Sequence, residues 1–124
     1  SRNHYMSITN ISSKVDYKVE NASSNRPIIY INVKEKGFLR ESSSTMQPKQ
    51  NIKEIERIME RTLEREGNQI LEMLKKLGVD PLRLGDKVRS YDRGWSEEKW
   101  RAIYPHVTVK LDVQTTLAQT GIIE

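Results

Sequence analysis

Few residues in this chain are of a type that does acid–base or metal chemistry. There are two histidines, His4 and His106, and no cysteine. A histidine becomes a general base or a metal ligand when a second group is held within reach of its ring. No H-x-x-x-H or HExxH spacing places two ligands on one helix face. No G-x-S-x-G elbow presents a nucleophile. Asp80, Asp86, Asp92 and Asp112 do not follow the spacing of a calcium loop. The six glycines are scattered, so no phosphate-cradling loop is present. Without cysteine there is no thiolate zinc site, no cysteine nucleophile and no disulfide. No catalytic residue, metal ligand or cofactor is therefore assigned. A small hydrolase-like enzyme with a dispersed site near His106 and the aspartates is the rival reading.

The aromatic residues are more concentrated. "WSEEKWRAIYP", residues 95–105, holds both tryptophans of the chain. Ser96 is a good N-cap, and Glu97 and Glu98 put negative charge in the first turn, where it favours the helix dipole. Trp95 precedes the cap and Trp100 is the fourth helical residue, the two positions of a hydrophobic staple. Trp100 and Tyr104 share one side of the helix. Pro105 stops it. An interfacial membrane helix would want basic residues beside a broad apolar face. This segment is short and begins with glutamates, so packing against a sheet is the predicted role of its aromatics.

Those residues need elements to position them. "ISSKVDYKVE", from Ile11, alternates: Ile11, Val15, Tyr17 and Val19 on one side, Lys14, Asp16, Lys18 and Glu20 on the other. That is a half-buried antiparallel strand. Met6 and Ile8 have the opposite parity, which predicts a bulge near Asn10. "NASSNRP" is a turn-rich connection, and a second strand follows with Ile29, Ile31, Val33 and Leu39 on one side. Residues 41–50 read as a polar loop. Ile52, Ile55, Ile58, Met59, Leu63, Ile70, Leu74 and Leu77 then recur at three- and four-residue steps, the stripe of a long amphipathic helix. Asn51 is its expected N-cap, Gly67 a point of close backbone approach, and Gly78 its stop. Opposite charges three apart, such as Arg57–Glu60 and Arg61–Glu64, are expected to pair along its surface. Asp80 and Pro81 should open a short helix, with Leu82, Leu84, Val88 and Tyr91 inward, ending by 92–94. "VTVKLDVQTTL" is the last strand, with Val107, Val109, Leu111, Val113, Thr115 and Leu117 on one face. The reading is one α+β domain over 1–124, in β-β-α-α-α-β order. A small, largely antiparallel sheet carries the long helix and two short helices on one face.

The net charge is +4 and the sequence pI about 9.4. Acidic and basic residues are interleaved, as in "KEIERIMERTLEREG", with no basic stripe for a nucleic acid to follow. A basic nucleic-acid-binding module is therefore a further alternative, and no nucleic-acid partner is expected. No run of about 18 apolar residues spans a membrane. "NIS" and "NAS", at 10–12 and 21–23, match the glycosylation sequon, a three-residue signal of little specificity. The sequence begins at Ser1, so a targeting segment is expected upstream in a longer protein.

One family shares these features. "WRAIYPHVTVKLDVQTTLAQTGII" resembles the closing motif of the bacterial spore germination receptor C-subunit family (the Ger(x)C type). The matching residues are Trp100, Ile103, Tyr104, Pro105, Val107, Val109, Val113, Thr120, Gly121, Ile122 and Ile123. "DPLRLGD", residues 80–86, is similar to the family's Asp-x-Phe-Gly-Phe-Gly-Glu segment, with Asp80, Leu82, Leu84, Gly85 and Asp86 in register. Arg83 stands where that segment has its first glycine. Trp95 lies closer to Trp100 than the family pattern suggests. The resemblance implies a non-catalytic C-terminal domain of a germinant receptor lipoprotein. Such a subunit is lipid-anchored, through a cysteine outside this chain, at the outer face of the inner spore membrane. It would act by protein–protein contact with integral-membrane subunits of a receptor for nutrients. Whether a nutrient binds this domain is left open by the sequence.

Overall fold

The computed structural model describes residues 6–41 and 48–119. Strand β1 (Met6–Glu20) and strand β2 (Ile28–Glu41) form an antiparallel pair. Helix α1 (Pro48–Leu77) follows, then two short helices, α2 (Leu84–Arg89) and α3 (Glu97–Ile103). A 3-10 turn at Tyr104–His106 leads into strand β3 (Thr108–Gln119). The sheet order is β1-β2-β3. The element order and the α+β class are as predicted.

The pairing of β3 is not. It runs parallel to β2, from Ile28↔Thr108 to Leu39↔Gln119, so the sheet is mixed rather than largely antiparallel. The reason is length. A helix of 30 residues is about 45 Å long, and a strand of 14 residues is about 46 Å. One such helix carries the chain back to the starting end of β2, and β3 then sets out in the same direction.

The bulge in β1 is where parity placed it, with the register shifting between Asn10 and Ser12 opposite Gly37. The inward faces of β2 and β3 bury Ile29, Ile31, Leu39, Val113 and Leu117, and Val107, just before β3, is buried with them. Leu84, Val88, Trp100 and Tyr104 from the short helices close that core at one end, with Tyr17 and Val19 of β1 against it.

Helix α1 packs on the sheet as its stripe predicts, with Ile52, Ile55, Met59, Leu63 and Leu74 half-buried. Its main contact is β3, along the sheet's edge. Three members of the stripe, Ile58, Ile70 and Leu77, are more than half exposed, and Leu71 and Lys75 beside it are buried. Toward the strand point Glu56, Glu60 and Glu64. Their carboxylates accept from the backbone N–H of Leu117, Thr115 and Val113 at 2.8, 2.8 and 2.9 Å. Glu60 and Glu64 thus turn to the strand rather than to Arg57 and Arg61. Further along, the Lys75 ammonium donates to the Val107 carbonyl at 2.7 Å and pairs with Glu72. A Cβ at Gly67 would overlap Leu111 Cδ2, so the close approach at Gly67 is by a side chain and not by backbone. Helix α1 begins at Pro48, which puts Asn51 inside it rather than at its cap. Gly78, at φ +72, ends it as expected.

Candidate functional site

The resemblance motif converges on one place. Asp80, Gly85, Asp86, Trp95, Trp100 and Tyr104 all line an open cleft of about 540 Å³ between α2 and α3. Asp80 is the first support of that cleft. Pro81 and Leu82 form a turn closed by the Arg83 N–H on the Asp80 carbonyl, so α2 opens at Leu84 and not at Pro81. Proline's fixed φ suits the second position of such a turn as well as it suits a helix start. The Asp80 carboxylate reaches across the turn and caps α2 from upstream. It accepts from Leu84 N–H at 2.7 Å and Gly85 N–H at 2.8 Å. Arg83 sits at φ 57, the left-handed region in which a side chain is strained and glycine is not. This is the position where the resembling family has glycine. Arg83 also pairs with Asp86 at 2.8 Å. Helix α2 ends at Arg89, short of 92–94, and Leu82 and Tyr91 are exposed rather than inward. Both flank α2 in turns, outside its buried face.

Trp100 lies directly against Gly85. A Cβ on that glycine would stand 2.7 Å from Trp100 Nε1, so no larger residue fits without moving the indole. The Ser96 hydroxyl accepts from Lys99 N–H at 3.1 Å, the predicted cap. The aromatic pair is Trp100 with Tyr104, centroids 5.2 Å apart and tilted by 31°. Trp95 is half-buried against the core, with the Arg89 guanidinium 5.4 Å from its ring, and its own Nε1 has no hydrogen-bond partner. Ile103 is half-buried against the same core and Pro105 is exposed. Thr120 and Gly121 lie outside the described residues.

Tyr104 joins the site to the end of α1. Its hydroxyl donates to the Val79 carbonyl at 2.6 Å. Burial, and then the negative charge of Asp80, hold its pKa above the ordinary 10.0. The folded phenol therefore ionises at higher pH than the unfolded one. Its contribution to stability is complete below the unfolded value and is lost as pH rises through the folded one. Tyr104→Phe is expected to cost about 1 kcal/mol at neutral pH. It should also shrink the fall in melting temperature at strongly alkaline pH. Thermal melts across that range check both.

Asp92 is buried, with its carboxylate held by protein groups. It accepts from Gly94 N–H at 3.0 Å and from the Ser23 hydroxyl at 3.3 Å, and Lys99 stands 3.6 Å away. It ties the β1–β2 connection to α3, a function that no local spacing advertised. His106 is exposed and borders a second cleft with Arg26, Lys99 and Thr108, which offers it no carboxylate partner. Among the described residues no three His, Asp or Glu side chains are grouped to hold a metal. No described helix is long and apolar enough to cross a membrane.

Both oxygens of Asp80, the ring of Trp100 and the hydroxyl of Tyr104 are thus spent on backbone and packing. The motif builds a rigid corner, with the ion pairs Arg83–Asp86 and Arg101–Glu97 on its rim.

Comparison with known proteins agrees with this architecture. The chain is 28% identical over its full length to spore germination protein GerQC of Bacillus cereus, covering 35% of that protein. It is 28% identical, over 88% of its length, to spore germination protein B3 of Bacillus subtilis strain 168, covering 30% of it. The crystal structure of the GerBC protein superimposes with a TM-score of 0.76 at 24% identity, over 93% of this chain and 37% of that one, which shows a shared fold. The chain therefore spans about a third of the length of these relatives. The family model described as spore germination B3/GerAC-like, C-terminal, matches residues 1–121, and the chain belongs to that family.

Proposed function

We propose that this chain is a non-catalytic domain of a nutrient germinant receptor C subunit. It acts by protein–protein contact with the integral-membrane subunits of the receptor. The whole subunit would be held at the outer face of the inner spore membrane by a lipid anchor elsewhere in the protein. The family match across residues 1–121 carries the reading. The use made of the motif side chains supports it: Asp80, Trp100 and Tyr104 are engaged in shaping the fold, which suits a domain that presents a surface.

The open face of the sheet is the surface offered first for contact. It carries Tyr30 under Lys110, with Asn32, Lys34 and Asp112 on the same side, polar and free of any described helix. The test is deletion of this domain from the intact subunit in a spore former. Nutrient-triggered germination is expected to fail or slow severely. Spores that lack the domain and still respond normally to nutrients would overturn the proposal.

A further inference from the structure

The two edges of the sheet are treated differently. Along β3, the glutamates of α1 occupy the outward N–H groups of Val113, Thr115 and Leu117. No described element pairs with the outer edge of β1. Beyond the bulge its pairing with β2 is regular from Ser12 to Glu20. An edge with unsatisfied N–H and C=O groups accepts another strand unless something prevents it.

The sequence of that regular stretch is K-V-D-Y-K-V-E, Lys14–Glu20. Set antiparallel against itself about Tyr17, it is complementary at every position off the axis; on the axis Tyr17, with Lys87 4.5 Å over its ring, meets Tyr17 of the second copy. Lys14 faces Glu20, Val15 faces Val19, Asp16 faces Lys18, and the second half repeats the first in reverse. Each pair joins positions of like parity. The outward backbone groups, which recur at every second residue of a strand paired on one side, therefore meet their counterparts. The charged pairs fall on the open polar face and the apolar pairs on the core side. Val15, 45% exposed in the single chain, gains Val19 of the second copy as cover. Glu20 already accepts from the Tyr30 hydroxyl at 3.0 Å, and a carboxylate has acceptor positions left for a lysine. An edge kept apart by charge alone would carry one sign, usually lysine. Here the signs alternate so that a two-fold axis matches each to its opposite.

We propose that β1 is a self-association edge. Two copies of this chain join antiparallel along Lys14–Glu20, through a two-fold axis at Tyr17, into one continuous six-stranded sheet. The interface is isologous and so closes at two copies. It does not depend on the receptor reading.

The test is sedimentation velocity on the 124-residue chain, from micromolar to near-millimolar concentration at low salt. The native chain is expected to form a dimer that high salt weakens. Asp16→Lys sets lysine against lysine twice in each dimer and should weaken it about tenfold or more. The exchange Asp16→Lys with Lys18→Asp restores both pairs and should restore the dimer. Both positions are exposed on the open face, so the fold is unaffected. A chain that stays monomeric throughout overturns the proposal. So does a dimer indifferent to Asp16→Lys, or one that the exchange does not rescue.

Discussion

Trp100→Ala is expected to destabilise the domain by about 3–5 kcal/mol, the range for emptying a buried aromatic site. A domain of this size has about 5–15 kcal/mol in all, so the variant should sit near its unfolding threshold. Trp100 is 5% exposed, close enough to Gly85 that a Cβ there would meet its indole, and tilted by 31° against Tyr104. Neither neighbour can follow the vanished ring. Gly85 is fixed by its N–H on Asp80, and Tyr104 by its hydroxyl on Val79. The cavity therefore stays open, and the cost is that of a rigid site. A second variant isolates the contact. Gly85→Ala in the native chain drives a methyl into the indole and should cost about 1–3 kcal/mol. In the Trp100→Ala background the same methyl enters empty space inside a helix, where alanine is preferred by about 1 kcal/mol. The second substitution should then be neutral or stabilising. Chemical denaturation of the four proteins measures the coupling. Additive effects would mean that the two residues do not touch. A Trp100→Ala protein with a native midpoint would mean that the tryptophan is not core at all.

Where a feature is local, the sequence showed it. Ser96, the acidic first turn and the stop at Pro105 define α3 from its own residues, and parity alone located the bulge at Asn10. What depended on a distant partner was harder to see. Asp80 was legible as a capping residue, but not that it caps across a turn, because Pro81 serves either geometry. The direction of β3 was latent in two lengths, those of α1 and β2, and no residue type encodes it. The apolar stripe of α1 was legible, but its polar contact with the edge of β3 was not, for a physical reason. Amphipathicity assumes that the inward face is apolar, and an open strand edge asks for acceptors instead. Glu56, Glu60 and Glu64 look like a solvated face until a row of N–H groups is placed beside them. Asp92 bonds locally to Gly94 N–H, but the tie it makes between Ser23 and Lys99 had no signal, since those two are far from each other in sequence.

That glutamate row carries the second large effect. Residues four apart on a helix are about 6.0 Å apart along its axis. Alternate residues of a strand are about 6.6–6.8 Å apart. A helix lying antiparallel along a strand can therefore match one carboxylate to every outward N–H over a few turns, and α1 does so three times. Glu60 holds the middle bond, to Thr115, whose side-chain hydroxyl is buried and already without a partner. Glu60→Leu leaves a second unsatisfied group on the same residue and is expected to cost about 2–3 kcal/mol, the range for stranding a buried partner of a charged group. Glu60→Gln keeps a carbonyl acceptor in place and should cost less than half as much. Replacing all three glutamates by leucine should unfold the domain or leave the β3 edge bare and prone to aggregation. Hydrogen exchange reads the mechanism directly. In Glu60→Leu the amide of Thr115 should lose protection ahead of Val113 and Leu117, whose own glutamates remain. Equal costs for leucine and glutamine, or unchanged exchange at Thr115, would show that α1 is held by packing alone and that the carboxylates only happen to lie near the strand. The predicted asymmetry between the two substitutions follows from what each leaves behind: glutamine still offers an oxygen to the N–H, and leucine covers the N–H while giving it nothing to bond.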